Sequence, residues 1–307
     1  MRGGVADGED PEILSVRHVT RYRYRQAVEL GEHRIMMRPR DGHDLRVISA
    51  ELEIEPTPKR VRWVYDAFDN CVAYATFSDA TRLLRVESRF VVDRIPDDEP
   101  GGEIEPEARQ YPFSYAQEEL PDIARAIEPL YGDPTGEVHK WARRFVSPSG
   151  LTPTSELLMT MNYAIKESFS YERREKSGVQ SPRETLDRRK GSCRDFAVLM
   201  MEAARMLGIA ARFVSGYIYV PSLDDGRPRL GGGSTHAWCQ VYLPGAGWID
   251  FDPTNGLVGH RDLIRVAVAR TPAQAAPLTG YYFGRRGDEE GMEVFVEVAQ
   301  PKPASRV

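Results

Sequence analysis

The chain has 307 residues, 41% hydrophobic and 28% charged, with a formal net charge of -5. That is a globular composition, long enough for one large domain or two ordinary ones. Its basic runs, Arg38-Pro39-Arg40 and Arg188-Arg189-Lys190, are too short for the basic stripe of a nucleic-acid binder, so no nucleic-acid partner is expected.

The opening MRGGVADGEDPE is polar and acidic and lacks the apolar core of a signal peptide. Residues 1–12 are therefore expected to form a disordered arm. No apolar run approaches the ~20 residues of a membrane helix. A cytoplasmic protein with no membrane partner is the simplest expectation.

Residues 13–95 read as strands. In Leu14-Val16-His18-Thr20-Tyr22-Tyr24 the even positions are mainly apolar or aromatic, while Arg17, Arg21, Arg23 and Arg25 take odd positions. This is the period of two of a half-buried strand. Leu52 and Ile54 alternate with glutamates, and Leu84, Val86, Phe90 and Val92 alternate with Arg85, Glu87 and Arg89. Asp69-Asn70 marks a turn. An antiparallel β-sandwich is the expected architecture.

Residues 96–134 read as a linker with short helices, starting at Pro96-Asp-Asp-Glu-Pro-Gly-Gly102. Helical patterns then cover about 117–131, 135–146 and 154–168. Ser181-Pro182-Arg183-Glu184 has the signature of a capped helix start. A further helix is expected from Cys193, with Phe196, Leu199, Met200, Ala203 and Leu207 on one face and Gly208 as the stop. Strand-like runs follow at 211–220, 236–243 and 247–252. Residues 135–285 are assigned to one core. Residues 286–307 are expected to hold a last strand and a tail. No internal repeat is visible.

Three cysteines, Cys71, Cys193 and Cys239, are odd in number and scattered. Reduced thiols are expected rather than a disulfide framework or a zinc site. Cys193 lies in Lys190-Gly-Ser-Cys-Arg-Asp-Phe196, where a glycine-bearing loop turns into an apolar helix. A helix N-terminus presents free N–H groups and the positive end of its dipole, which favour a thiolate and can also hold an oxyanion. Cys71 and Cys239 fit packing roles instead.

A thiol nucleophile needs a base. His236 stands at the start of the strand HAWCQVYL, after Gly231-Gly-Gly233, on the face opposite Ala237, Cys239, Val241 and Leu243. His18 reads as structural; His260, in a loop, remains open. Asp250 and Asp252 in Gly247-Trp-Ile-Asp-Phe-Asp252 can orient the ring. Matching the two apolar faces requires an odd loop, such as Pro244-Gly245-Ala246, with Trp238 opposite Asp252. That register puts Asp252 nearer than Asp250 to the level of His236.

With these residues in hand, the chain resembles the bacterial transglutaminase-like proteins of the papain-like thiol superfamily. The resemblance is carried by GSCRDFAVLMMEAARMLGIAARFVSGY and THAWCQVYLPGAGWIDFDPTNG, and by VRHVTRYRYRQAVELGEHRIMMRPR and YDAFDNCVAYATF upstream. It covers about residues 13–285. It implies an α+β fold, a helix bearing cysteine packed on an antiparallel sheet, preceded by a β-sandwich domain. It also implies a Cys193, His236, Asp252 triad performing acyl transfer through a thioester.

Hydrolysis of a protein or peptide substrate, as a protease or amidase, is the favoured reaction. Cross-linking to an amine co-substrate is the alternative, and a non-catalytic peptide- or glycan-binding module is the rival of another class. Tyr217, Trp238, Tyr242 and Trp248 are candidates to line an acyl groove, and the loop 221–234 to cover it. Asp224-Asp225-Gly226 offers too few spaced oxygens for calcium, so no metal or cofactor is expected. A second oxyanion donor is not identifiable in the sequence.

Overall fold

The computed structural model describes residues 12–95, 103–173, 178–220, 233–260, 262–285 and 287–301. The expected N-terminal arm, the stretch 96–102 and most of the loop 221–234 lie outside the described residues.

The first domain is built from β1 (Glu12–Leu30), β2 (His33–Ile35), β3 (Leu45–Glu55), β4 (Arg60–Tyr65), β5 (Cys71–Thr76) and β6 (Thr81–Arg94). The alternation in β1 buries Leu14, Val16, His18, Thr20 and Tyr24. Its arginines meet acids on neighbouring strands, Arg17 on Glu87 at 2.8 Å and Arg23 on Glu293 at 3.6 Å. β1 runs antiparallel to β6, and β6 to β3. A second sheet orders β2, β5 and β4. Tyr24, Val28, Leu84 and Val86 from the first sheet pack on Ile35, Ala73 and Ala75 from the second, which makes a sandwich.

The core follows. A bridge of β7 (Gln110–Tyr111) precedes α1 (Leu120–Ile127) and α2 (Glu137–Arg143), and pairs with β8 (Thr152–Pro153). Then come α3 (Thr154–Ser168), β9 (Ser170–Tyr171), α4 (Pro182–Arg188), β10 (Lys190–Gly191) and α5 (Cys193–Met206). The Ser181 hydroxyl accepts from the Glu184 N–H, as its cap signature requires.

The remaining core strands are β11 (Ala211–Ile218), β12 (His236–Leu243), β13 (Gly247–Asp252), β14 (Leu257–Val258) and β15 (Leu263–Ala269). They form one antiparallel sheet ordered β14-β13-β12-β11-β15. Phe196, Leu199, Met200 and Ala203 of α5 pack on Ala237, Cys239, Val241 and Phe251 of this sheet.

The core sheet also packs on the first domain. Tyr217, Ile264 and Val266 pack against Leu14, Val16, Phe90 and Val92 of the first domain. The turn at Asp69-Asn70 docks on the edge strand β15. The Asn70 amide donates to the Val268 carbonyl at 2.7 Å, and its carbonyl accepts from the Val268 N–H at 2.8 Å. A side-chain amide thereby satisfies a strand edge as another strand would.

The C-terminal part of the chain returns to the first domain. β16 (Leu278–Thr279) pairs with β2, β17 (Tyr282–Phe283) with the end of β1, and β18 (Glu289–Ala299) with β1 from Ser15 to Tyr24. Strands on both sides of the expected boundary at 285 thus pair with the first domain. The sequence pattern at 293–298 marks a last strand without revealing its partner; the strand extends over Glu289–Ala299. Among the described residues no helix is long and apolar enough to cross a membrane.

Candidate active site

Cys193 is the first residue of α5. The turn before it is held by Asp195. Its Oδ2 accepts from the Ser192 N–H and hydroxyl, both at 2.8 Å, and its Oδ1 accepts from the Gln180 N–H at 2.7 Å. The Ser192 side chain and the Asp195 side chain together form a capping box. Gly191 is required for space: a Cβ there would stand 2.9 Å from the Asp195 Cβ and 3.1 Å from the Phe196 ring. As first helical residue, Cys193 has a backbone N–H without an intrahelical acceptor.

β12 and β13 are joined by the three residues Pro244–Ala246, with Leu243 opposite Gly247 and Cys239 opposite Phe251. The loop is odd, and continuing the register by one step puts Trp238 opposite Asp252. His236 and Asp252 then meet diagonally, as the sequence pattern required. The His236 Nε2 donates to the Asp252 Oδ2 at 2.7 Å, and neither side chain has solvent exposure. A carboxylate only accepts, so Nε2 carries the proton.

The other ring nitrogen, Nδ1, is buried with no hydrogen-bond partner among the described residues. Cys193 lies near enough to the ring to add to the rise of its pKa. Burial alone would lower the His236 pKa. The Asp252 carboxylate and its hydrogen bond, with Cys193 adding to them, override this and raise it to about 10. For Asp252, burial would raise the pKa. His236, the Asn255 amide at 2.8 Å and the Thr254 N–H at 2.9 Å prevail and lower it.

Trp238 supports the ring from below. The two rings are stacked with centroids 5.9 Å apart, and the indole Nε1 donates to the Asp250 Oδ1 at 2.6 Å. Asp250 therefore holds the tryptophan and Asp252 holds the histidine. Gly216 makes room for this indole, since a Cβ there would stand 2.8 Å from it. The other histidines are elsewhere: His18 bonds Tyr217 at 2.8 Å, and His260 lies 3.3 Å from the Ile95 carbonyl.

The four aromatic candidates for an acyl groove are placed otherwise. Tyr217 is buried between the core sheet and the first domain, with its hydroxyl on His18. Trp238 is fully buried under His236. Tyr242 and Trp248 pack on each other, at the end of β12 remote from His236, where the Arg212 guanidinium lies 4.1 Å from the Trp248 ring. Period-two patterning could not separate a groove from a face covered by a second domain. Asn255, Asp195 and Trp238 as supports were missed; the only signals were the capping-box spacing and Asn255 in DPTN. Cys239 is buried, with its sulfur 3.7 Å from the Phe251 carbonyl, and Cys71 is only partly covered.

Comparison with known proteins agrees with this architecture. Residues 14–93 match the model of the bacterial transglutaminase-like N-terminal region, and residues 139–253 that of the transglutaminase-like superfamily. An uncharacterized protein of Mycobacterium tuberculosis strain H37Rv is 29% identical over 290 residues, covering 92% of this chain and 91% of its own. One from Mycobacterium leprae is 36% identical over 117 residues, 38% of this chain and 40% of its own. The crystal structure of a proposed cysteine protease from Cytophaga hutchinsonii superposes with a TM-score of 0.71 at 19% identity, covering 97% of this chain and 93% of that one. This chain belongs to the transglutaminase-like superfamily, with the α+β core of that family preceded by the bacterial N-terminal β domain.

Proposed function

We propose that the protein is a thiol-dependent acyl-transfer enzyme in which Cys193 is the nucleophile, His236 the acid–base and Asp252 its orienting partner. The observation that carries this reading is the buried His236–Asp252 pair at 2.7 Å, with the helix-heading Cys193 near enough to raise the ring's pKa. A fully buried ion pair is costly to maintain. A non-catalytic binding module has no use for one aimed at a cysteine.

His236 takes the Cys193 proton at Nδ1 while Nε2 stays bound to Asp252. The sulfur attacks an amide carbonyl, forming a C–S bond and an oxyanion. The Cys193 N–H donates to that oxyanion. Collapse of the intermediate breaks the C–N bond, and His236 protonates the leaving amine. Water then attacks the thioester, giving a carboxylic acid and restoring the thiol.

Hydrolysis is favoured because water needs no dedicated site. Cross-linking, in which an amine replaces water, is kept as a second reading because the core matches the transglutaminase-like superfamily. Incubation with a glutamine peptide and a labelled amine separates the two. Ammonia release without label incorporation is expected. Incorporation would establish cross-linking, and neither product would exclude glutamine as the substrate group.

A further inference from the structure

The second sheet of the sandwich ends in β4, which pairs with β5 alone among the described residues. The Asp66 N–H bonds the Asn70 carbonyl at 3.2 Å in the register of that pair. Arg60, Arg62 and Val64 therefore turn their backbone groups to β5, and Val61, Trp63 and Tyr65 turn theirs to the open edge. Those three side chains share one face and are 37%, 44% and 67% exposed. Proteins ordinarily protect such an edge from pairing, whereas this one keeps large apolar side chains at its rim. Beside Trp63 an apolar cleft opens between the two sheets, lined by Ile35, Met37 and Leu52.

The charge of this edge runs against that of the chain. Arg38 lies over the Trp63 ring at 5.9 Å and Arg40 over the Tyr65 ring at 5.0 Å. Arg60 and Arg62 are exposed on the opposite face of the strand. Among the described residues, Asp69, 3.1 Å from Arg40, is the one carboxylate in an ion pair with these four arginines. The whole chain has a net charge of -5, so this edge is a local cationic strip with aromatic rings set into it.

We infer that the open edge of β4 is a docking site for an extended acidic peptide, added to the sheet as a further strand. The peptide main chain bonds the free N–H and C=O groups of Val61, Trp63 and Tyr65. Its side chains alternate between the two faces. One set lies by Trp63 and Tyr65 and takes apolar residues; the other lies by Arg60 and Arg62 and takes Glu or Asp. The same arginines repel the β4 edge of a second copy, since like charges set opposite each other destabilise a strand pair. This site goes beyond the Cys193 reading and does not depend on it.

The probe is a short fluorescein-labelled peptide alternating Glu with Val and Phe, and its binding to the full chain is read by fluorescence anisotropy. Two altered peptides are run beside it. One has lysine for every glutamate. The other is N-methylated at every residue, which keeps the charges and side chains and removes the donors that pair strands. The acidic peptide is expected to bind saturably and the lysine peptide not to bind. N-methylation, and the double substitution Arg60→Glu with Arg62→Glu, are each expected to weaken binding about tenfold or more. A thermal melt checks that the double variant folds; if it does not, the altered peptides on the wild-type chain decide. Equal binding of the N-methylated peptide would overturn strand addition and reduce the edge to a contact between charges. Binding that a folded double variant leaves unmoved would put the peptide elsewhere. A wild-type chain with no saturable binding would also overturn the inference. So would a chain that sediments as a dimer in wild type and as a monomer in the double variant, because a second copy would then be the occupant.

Discussion

Asp252 serves three donors with two oxygens, from His236, Asn255 and Thr254. A charged imidazolium at 2.7 Å is the partner that makes its ionised form favourable inside the protein. The linked pH dependence has a definite sign. The folded-state pKa of His236 is raised to about 10 from an ordinary 6.5, so the pair's stabilisation is complete below about pH 6.5 and is lost as pH rises through about 10. The pKa of Asp252 is lowered, so its contribution is present above its ordinary value near ~3.9 and lost as pH falls below it. Thermal melts of wild type and Asp252→Asn are therefore expected to differ most near pH 6, with the gap narrowing between pH 6.5 and 10. A gap constant over that range would show that the pair is not ionised. The same substitution is expected to slow acyl transfer by about 10³-fold or more, because the ring loses its fixed tautomer.

At the scale of elements, the helix that carries the thiol is started by one acid. Asp195 is buried and ties the Ser192 turn to the backbone at Gln180. Asp195→Ala removes the capping interaction and leaves two backbone N–H groups in a buried site without their acceptor. A loss of about 2–4 kcal/mol by urea denaturation is expected from the cap and the orphaned donors together. A loss under about 0.5 kcal/mol would mean that water replaces the carboxylate. The helix start, the hairpin register and the His236–Asp252 pairing were legible because each is a local rule: a cap spacing, a period of two, a loop parity. The pairing of β9 with β10 beside the start of α5 was not legible, since two-residue strands leave no periodic trace. Tyr217 and Trp238 misled for a related reason. Each is buried in a cluster that draws on residues of the first domain, which a strand's own period does not reveal.

At the scale of the molecule, the sandwich and the core are joined by burial and by specific hydrogen bonds. Leu14, Val16, Phe90 and Val92 pack around Tyr217 of the core sheet, and Phe68 packs on the cluster that contains Trp238, whose indole stacks on the His236 ring. The N-terminal domain is thus part of the structure that supports His236. Asn70→Ala strips both polar partners from Val268 on the edge strand. It is expected to cost about 2–4 kcal/mol, the penalty for two buried unpaired backbone groups. If unfolding monitored by tryptophan fluorescence remains a single transition, the two domains are one cooperative unit. An early transition confined to the sandwich would separate them. The return of the chain through β16, β17 and β18 was the least legible feature. Hydrophobic pattern specifies that a strand exists and which face is buried, and leaves open which distant edge it joins.

The cysteines allow the most direct measurement. Cys71 is the most exposed of the three, whereas Cys193 is 6% exposed and Cys239 is fully buried. Burial raises the pKa of both Cys71 and Cys239. Ranking by exposure alone puts Cys71 first, and ranking by activation puts Cys193 first. With limiting iodoacetamide at pH 7, read by peptide mass spectrometry, Cys193 is expected to be labelled at least about tenfold faster than Cys71. In His236→Ala that advantage is expected to vanish. Labelling of Cys71 before Cys193 in the wild-type chain, or a Cys193 rate indifferent to His236, would contradict the account.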